Sequence, residues 1–389
     1  MNARVRTIGI NILLCTFSTL LSLEIGLRIL GTRSDTLHNI LWLPSDYGRA
    51  DTIAELMELA PVKLHMHRWA GMDMTENGFR TPPYSQKKTE GTLRMLALGD
   101  SFTFSSGGVP YEDMWHALTA GALANALGIP IENINLGKPS VGPGFSNRVL
   151  ELEGRNLEPD IVLFGLFIGN DLHDEAKKNW LPLRLSYSLR LLKEQRRLRE
   201  SLHTISNELK NGMEEMQHAI TAETYVYTPE HPSFSEDTFL RIEREKMYLF
   251  EKEKQTYVNS LIADILPALE QMKETADSAG ALFAVVVMPE EMQVDAKVRA
   301  QVSGTRQRVS ENYDFEWVQN TVVDLLRKQN IMAIDVLPAL RTTAKTGAVY
   351  SNRNTHWNAE GNRIASQQIT AQLLPLLAER KLSQLPVVE

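Results

Sequence analysis

Five short apolar runs, each closed by turn residues and separated from the next by other patterns, most constrain what this chain can fold into. They read LRMLALG (93–99), IENINLG (131–137), DIVLFGLF (160–167), ALFAVVVMP (281–289) and IMAIDV (331–336). Runs of this length and composition are buried strands. Between them stand helical periodicities, EDMWHALTAGALANAL and EWVQNTVVDLLRKQN among them. Strand and helix in alternation give a parallel sheet covered on both faces. In such sheets ligands bind beyond the carboxyl ends of the strands, so the residues that follow each run are where chemistry is to be sought.

Those residues are informative. After the first run comes GDSFTF, in which Gly99 allows a tight turn, Asp100 can cap a helix, and Ser101 opens that helix with its backbone N–H free for an anion. After the second comes Gly137, whose missing side chain lets a backbone N–H approach a substrate oxygen. The third is followed by IGNDLHD, with the Asn170 amide as a donor, and the helix after the fifth is introduced by His356. A hydroxyl, backbone and amide donors and an imidazole on one sheet edge are the parts that acyl transfer needs. Taken singly each part has a plainer use: Asp-Ser as an N-cap, Asn-Asp as a turn, a lone His as packing. Their joint placement favours chemistry.

The segments LALGDSFTF, NINLG, GND and HWNAEG, in this order, resemble the signature blocks of the GDSL/SGNH esterase and lipase family, over about 91–180 and 280–376. ENGFR ahead of the first run and LEIGLRILG near the N-terminus are similar to membrane-anchored bacterial members. The resemblance implies an α/β fold, a flavodoxin-like three-layer α/β/α sandwich on a parallel sheet. It implies Ser101 as nucleophile, His356 as general base, and the Ser101 and Gly137 N–H groups with the Asn170 side chain as oxyanion hole. The sequence has no P-loop and no dinucleotide fingerprint, and no cofactor is expected. Two segments depart from the family. Ile168 stands where a Gly is frequent, and the residues two and three before His356, where the family has an Asp, are Asn354 and Arg353. An amide oxygen can orient the ring but cannot stabilise an imidazolium as a carboxylate does. In a serine protease the same exchange costs about 10⁴ in turnover. A carboxylate from elsewhere, such as Asp171 or Asp174, is the alternative orienting group.

The N-terminus adds a location. Arg4 and Arg6 precede an uncharged run from Ile8 to Leu23, and EIGLRILG prolongs it past Glu24 and Arg28, which lie four apart and can pair on a helix. If it continues to Leu30 the segment spans a bilayer, and no small-x-small site follows to release it. An uncleaved single-pass anchor is expected, with the basic N-terminus inside and the body outside the cytoplasm. The lone Cys15 excludes an intrachain disulfide or thiolate cluster, and a net charge of -7 with a pI near 5.8 carries no nucleic-acid footprint. His65 and His67 in LHMHRW have no carboxylate or cysteine beside them, so no metal is expected.

The expected organisation is an anchor (1–33), a lead-in segment (34–90) and an SGNH-like domain (91–389) with a helical insertion at about 180–255. In that insertion residues Leu181 to Leu202 hold six Lys or Arg against two Glu, and Leu185, Leu189 and Leu192, like Leu198, Leu202, Ile205 and Leu209, have helical spacing. A solvated helix packed on the body is expected there, before a membrane-surface or lid element. ETYVYTPEHPSFSEDTF then reads as a Pro-punctuated loop whose aromatics suit sugar stacking or a hinge. The functional expectation is a serine ester hydrolase acting on an O-acyl group of an envelope glycan or lipid. An O-acetyltransferase is the nearest alternative, and a glycan-binding protein that has lost catalysis is the alternative from another class.

Overall fold

The computed structural model describes residues 3–31, 44–60, 67–176, 186–192, 220–303 and 312–384. Its centre is a five-stranded parallel sheet of β1 (Leu93–Gly99), β2 (Ile131–Asn135), β3 (Ile161–Phe167), β4 (Leu282–Met288) and β5 (Met332–Asp335). The spatial order is β2-β1-β3-β4-β5, with Leu93 opposite Ile131 and Met95 opposite Ile161. This is the flavodoxin-like order, whose direction reverses between β1 and β3 and leaves a crevice at their carboxyl ends.

Alternation along the strands builds two cores. Leu96, Leu98, Val162, Phe164, Val285 and Val287 face the helices Pro143–Leu152, Gln255–Ser278 and Trp317–Lys328. Met95, Ala97, Ile161, Leu163, Ala284 and Val286 face the helices Trp115–Leu127 and Ala359–Gln384. A strand buried on both faces has no polar alternation, which is why these runs are almost wholly apolar.

The helix Ala3–Gly31 carries an apolar stretch, Ile10–Leu30, long enough to cross a membrane, with mean hydropathy 1.7 and only 6% of it buried. Near its end Glu24 pairs with Arg28 at 3.0 Å and accepts from Ser186 Oγ and from the N–H groups of Tyr187 and Ser188. The free N–H groups of the helical turn at 187–192 thus find an acceptor on the apolar helix. Arg190 of the same turn forms a buried pair with Asp46, 2.6 Å apart. The leucines at 185, 198, 202 and 209, and Ile205 with them, lie outside the described residues, while Leu192 is exposed. The 223–235 stretch has neither helix nor strand before the helix Glu236–Lys246, as its prolines suggest.

Candidate active site

The turn after β1 is set by two short-range constraints. Gly99 has φ +142, and a Cβ there would stand 2.8 Å from the Gly165 carbonyl oxygen of β3. Asp100 then caps the four-residue helix Ser101–Phe104 by accepting from the Phe102 N–H at 2.9 Å. Ser101 is therefore held at the switch point with its hydroxyl at the crevice and its N–H among those a helix start leaves unpaired. The lead-in residues brace the loop that follows. Arg80 is wholly buried and donates to Val109 O at 2.7 Å, and Trp69 Nε1 donates to Ser105 O at 3.1 Å.

His356 comes from the opposite side, on a tight loop closed by Ser351 N–H to His356 O and by Asn354 N–H to Ser351 O. The following Asn358 accepts from the Gly361 N–H at 2.9 Å, and a Cβ on Gly361 would crowd Trp357 Cβ at 2.9 Å. The Asn and Gly of HWNAEG thus cap the long C-terminal helix and seat it against the loop. The imidazole lies on Phe102, ring centroids 5.0 Å apart.

His356 Nε2 is 2.8 Å from Ser101 Oγ, and Nδ1 is 2.7 Å from Asn354 Oδ1. The amide orientation follows from its neighbours. The His356 backbone N–H, which can only donate, meets the same Asn354 oxygen at 3.1 Å, and Asn354 Nδ2 donates to Ser233 Oγ at 2.8 Å. Since Oδ1 only accepts, the proton sits on Nδ1 and the Nε2 lone pair faces the Ser101 hydroxyl. Burial, and then the Lys246 ammonium, hold the His356 pKa below the ordinary imidazole value. Neutral imidazole is the form a base requires.

The remaining residues singled out by sequence fall into two groups. Asn170 stands in the turn after β3, half-buried, with Nδ2 donating to Asp174 Oδ2 at 3.1 Å and the side chain also hydrogen-bonded to Asp100. Gly137 is placed otherwise. Its N–H donates to Asn135 Oδ1 at 2.9 Å, and a Cβ there would stand 2.8 Å from Thr103 Cβ and 2.9 Å from the Phe104 nitrogen. Its smallness lets β2 approach the Ser101 helix, and its N–H is already engaged. Asp171 is buried and accepts from the Phe167 N–H at 2.8 Å, so the ring of His356 is oriented by Asn354 and not by that carboxylate. Burial raises Asp100 to about 7, and the charge of Asp174 adds to this; burial and the charge of Asp100 raise Asp171 further.

Two features were not legible in the sequence. Ser233 lies far along the chain in the loop read as a hinge or sugar platform, and no local pattern ties it to Asn354. The second is a buried ion cluster in which Lys246 meets Glu290 at 2.8 Å and Glu243 at 3.2 Å. Glu290 follows β4 and fills the space beside Gly169, where a Cβ would also come within 2.6 Å of Phe167 Cζ. That contact accounts for Ile168 and Gly169 in place of the frequent pattern: the glycine is required one position later, and Ile168 is buried with its N–H on Met288 O. No group of His, Cys, Asp and Glu arranged for a metal occurs among the described residues, and His65 lies outside them.

Residues 245–386 match the family model described as an SGNH hydrolase-like domain, acetyltransferase AlgX. The matched stretch contains Asn354 and His356 and stops short of Ser101. No curated protein matches the chain. Among solved structures, a lipolytic protein of the G-D-S-L family from Desulfitobacterium hafniense is 12% identical with TM-score 0.37, covering 72% of this chain and 99% of its own. The lipase Lip_vut3 from a goat rumen metagenome is 14% identical with TM-score 0.39, covering 72% and 97%. The psychrotrophic esterase EstA from Pseudoalteromonas is 13% identical with TM-score 0.36, covering 73% and 98%.

Proposed function

We propose that the chain is a serine acyl-transfer enzyme of the GDSL/SGNH kind, located in the envelope and acting on an O-acyl ester, a reading supported by the match of residues 245–386 to an SGNH hydrolase-like domain. The observation that carries the reading is the continuous path Asn354 Oδ1, His356 Nδ1, His356 Nε2, Ser101 Oγ, with contacts of 2.7 and 2.8 Å at its two ends. Nε2 takes the Ser101 proton as Oγ attacks the ester carbonyl, and the imidazolium returns that proton to the departing alkoxide. The acyl group then rests on Ser101 until water or an acceptor hydroxyl, deprotonated in its turn by Nε2, removes it. The tetrahedral oxyanion is met by the Ser101 N–H, and by the Asn170 amide once it releases a carboxylate of Asp174 or Asp100. The Gly137 N–H joins them only by releasing Asn135 Oδ1.

Hydrolysis and transfer share every step but the last, and the match to an acetyltransferase domain favours transfer to a glycan hydroxyl as the second reading. In this reading the apolar helix anchors the enzyme as a single-pass protein with its body outside the cytoplasm, where acylated glycan or lipid is the substrate. A fluorophosphonate probe on the purified full-length protein tests the nucleophile. Labelling is expected on Ser101 and absent in Ser101→Ala. Labelling of another serine, or none at all, returns the chain to the binding-protein class. Product analysis with and without a polysaccharide acceptor separates transfer from hydrolysis.

A further inference from the structure

Beside the dyad lies an open groove of about 510 Å³ bordered by the 220–233 segment, inside the range of about 300–1,000 Å³ usual for ligand pockets. It is continuous with the site. Gly107 forms part of its wall, and a Cβ on Gly107 would stand 3.1 Å from His356 Cβ. Ser233, which holds the Asn354 amide, lines the same groove.

The segment is extended and alternates, with Tyr225 and Tyr227 half-buried and Thr224, Val226 and Thr228 exposed. Both phenols are pinned, and to opposite halves of the dyad. Tyr225 donates its hydroxyl to Gly108 O at 2.7 Å, on the loop after the Ser101 helix. Tyr227 accepts from the Ala359 N–H at 3.1 Å, at the start of the helix that follows His356. A tyrosine already fixed at its hydroxyl offers a broad amphipathic ring and loses little freedom when something packs on it.

The chemistry of the wall selects the occupant. None of the described lining residues is Lys, Arg, Asp or Glu, His231 is the one among them that can carry a positive charge, and the threonine and serine hydroxyls stand among ring and aliphatic surface. The charges that bear on Tyr227 are those of Glu230 and Asp113, both carboxylates. A pyranose presents an apolar C–H face for a ring and equatorial hydroxyls for polar neighbours. A uronate would bring its carboxylate towards like charge. We infer that this groove is the subsite for the glycan part of the substrate, an uncharged sugar residue that carries or receives the acyl group at Ser101. The inference deepens the acyl-transfer reading above and rests on it.

Binding, and not turnover, is the test, so that the groove and the chemistry fail separately. Hexamers of β-1,4-glucose, β-1,4-N-acetylglucosamine and a uronate are titrated by calorimetry and saturation-transfer NMR into detergent-solubilised full-length protein. The same titrations are run on Ser101→Ala protein, whose sugar affinity does not depend on catalysis. At least one neutral hexamer is expected to bind saturably and more tightly than the uronate. Val226→Arg, at a groove position 73% exposed and so without consequence for the fold, is expected to weaken it tenfold or more. Thr228→Arg, exposed on the same wall, is the second variant and is expected to act likewise. Absence of binding by both neutral hexamers, preference for the uronate, or binding indifferent to both variants overturns the assignment. A groove that binds sugar in a protein that the phosphonate probe does not label leaves the subsite standing and removes the enzyme.

Discussion

Asn354 faces His356 with its amide oxygen, 2.7 Å from Nδ1, because Ser233 takes the amide nitrogen at 2.8 Å from the other side. An amide that rotates by half a turn would present Nδ2 to the ring and select the wrong tautomer. Ser233 raises the cost of that rotation by one hydrogen bond, worth about 0.5–1.5 kcal/mol.

Ser233→Ala is therefore expected to lower kcat on a small nitrophenyl acetate by about fivefold to tenfold with KM little changed, in keeping with the loss of about 1 kcal/mol. Ser233→Thr keeps the hydroxyl and is expected to keep most of the rate. A loss in KM alone, or no recovery with Thr, would assign Ser233 to packing.

The consequence of the amide itself is read with Asn354→Asp. A carboxylate accepts from Nδ1–H and from the Ser233 hydroxyl together, and it stabilises the imidazolium that forms as Ser101 loses its proton. Ester hydrolysis is expected to rise by about 10–100-fold, well below the 10⁴ of the protease comparison because the ring is already oriented. The sign of the pH effect is fixed. The His356 pKa, held low in the parent, moves up, so the acidic limb of the rate profile moves to higher pH. Profiles of kcat/KM for the two proteins between pH 4 and 9 check both statements.

The alternation of apolar runs disclosed the sheet because each strand is buried on both faces, a condition written locally into the residues. Ser101 and His356 were legible for a related reason: each is flanked by its own cap and turn residues, Asp100 and Gly99 for one, Asn358 and Gly361 for the other. The partners that act across the fold were not. Ser233 reaches Asn354 from a loop distant in sequence, and Glu290 occupies the space that Gly169 vacates, so neither leaves a periodic trace. Gly137 was visible as a residue that must be small, yet sequence could not say whether smallness served a substrate oxygen or the approach of Thr103. The structure shows the second use.

That use predicts the outcome of Gly137→Ala. The added methyl meets Thr103 Cβ at 2.8 Å and the Phe104 backbone nitrogen at 2.9 Å, and backbone cannot move aside as a flexible side chain does. Overpacking of this kind costs about 1–3 kcal/mol, and the strain falls on the helix that carries Ser101. A lower urea midpoint together with loss of ester turnover is expected. Unchanged stability with turnover reduced would instead favour a direct role for the Gly137 N–H.

The apolar helix predicts how the protein fractionates. Ile10–Leu30 has mean hydropathy 1.7 and leaves large side chains such as Leu13 and Phe17 exposed, a surface that water does not tolerate but lipid does. Full-length protein is expected in the membrane fraction, resistant to high salt and released by detergent, with its body cut by protease added outside the cytoplasm. A soluble, shortened mature form would contradict the anchor.

A last expectation concerns acid and lies away from the dyad. His116, in the first turn of the helix Trp115–Leu127, is wholly buried, takes the Asn133 Nδ2–H on Nδ1 at 2.8 Å, and has its pKa pushed down to about 3 by burial and the Arg80 charge. The folded state thus refuses a proton that the unfolded chain accepts at the ordinary value near 6.5. Stability from this group is complete above that value and is lost as pH falls below it, by about 1.4 kcal/mol per unit until the folded pKa is reached. Asp100, raised to about 7 by burial and Asp174, works in the opposite direction, because the folded state holds its proton at pH values where the unfolded carboxyl has released it. The difference between parent and His116→Gln isolates the histidine. Relative to its own stability at pH 7.5, the parent is expected to lose about 1.4 kcal/mol more than His116→Gln on going to pH 5.5, as read from urea denaturation at both values. Parallel losses in the two proteins would mean that His116 takes up its proton without leaving the folded state.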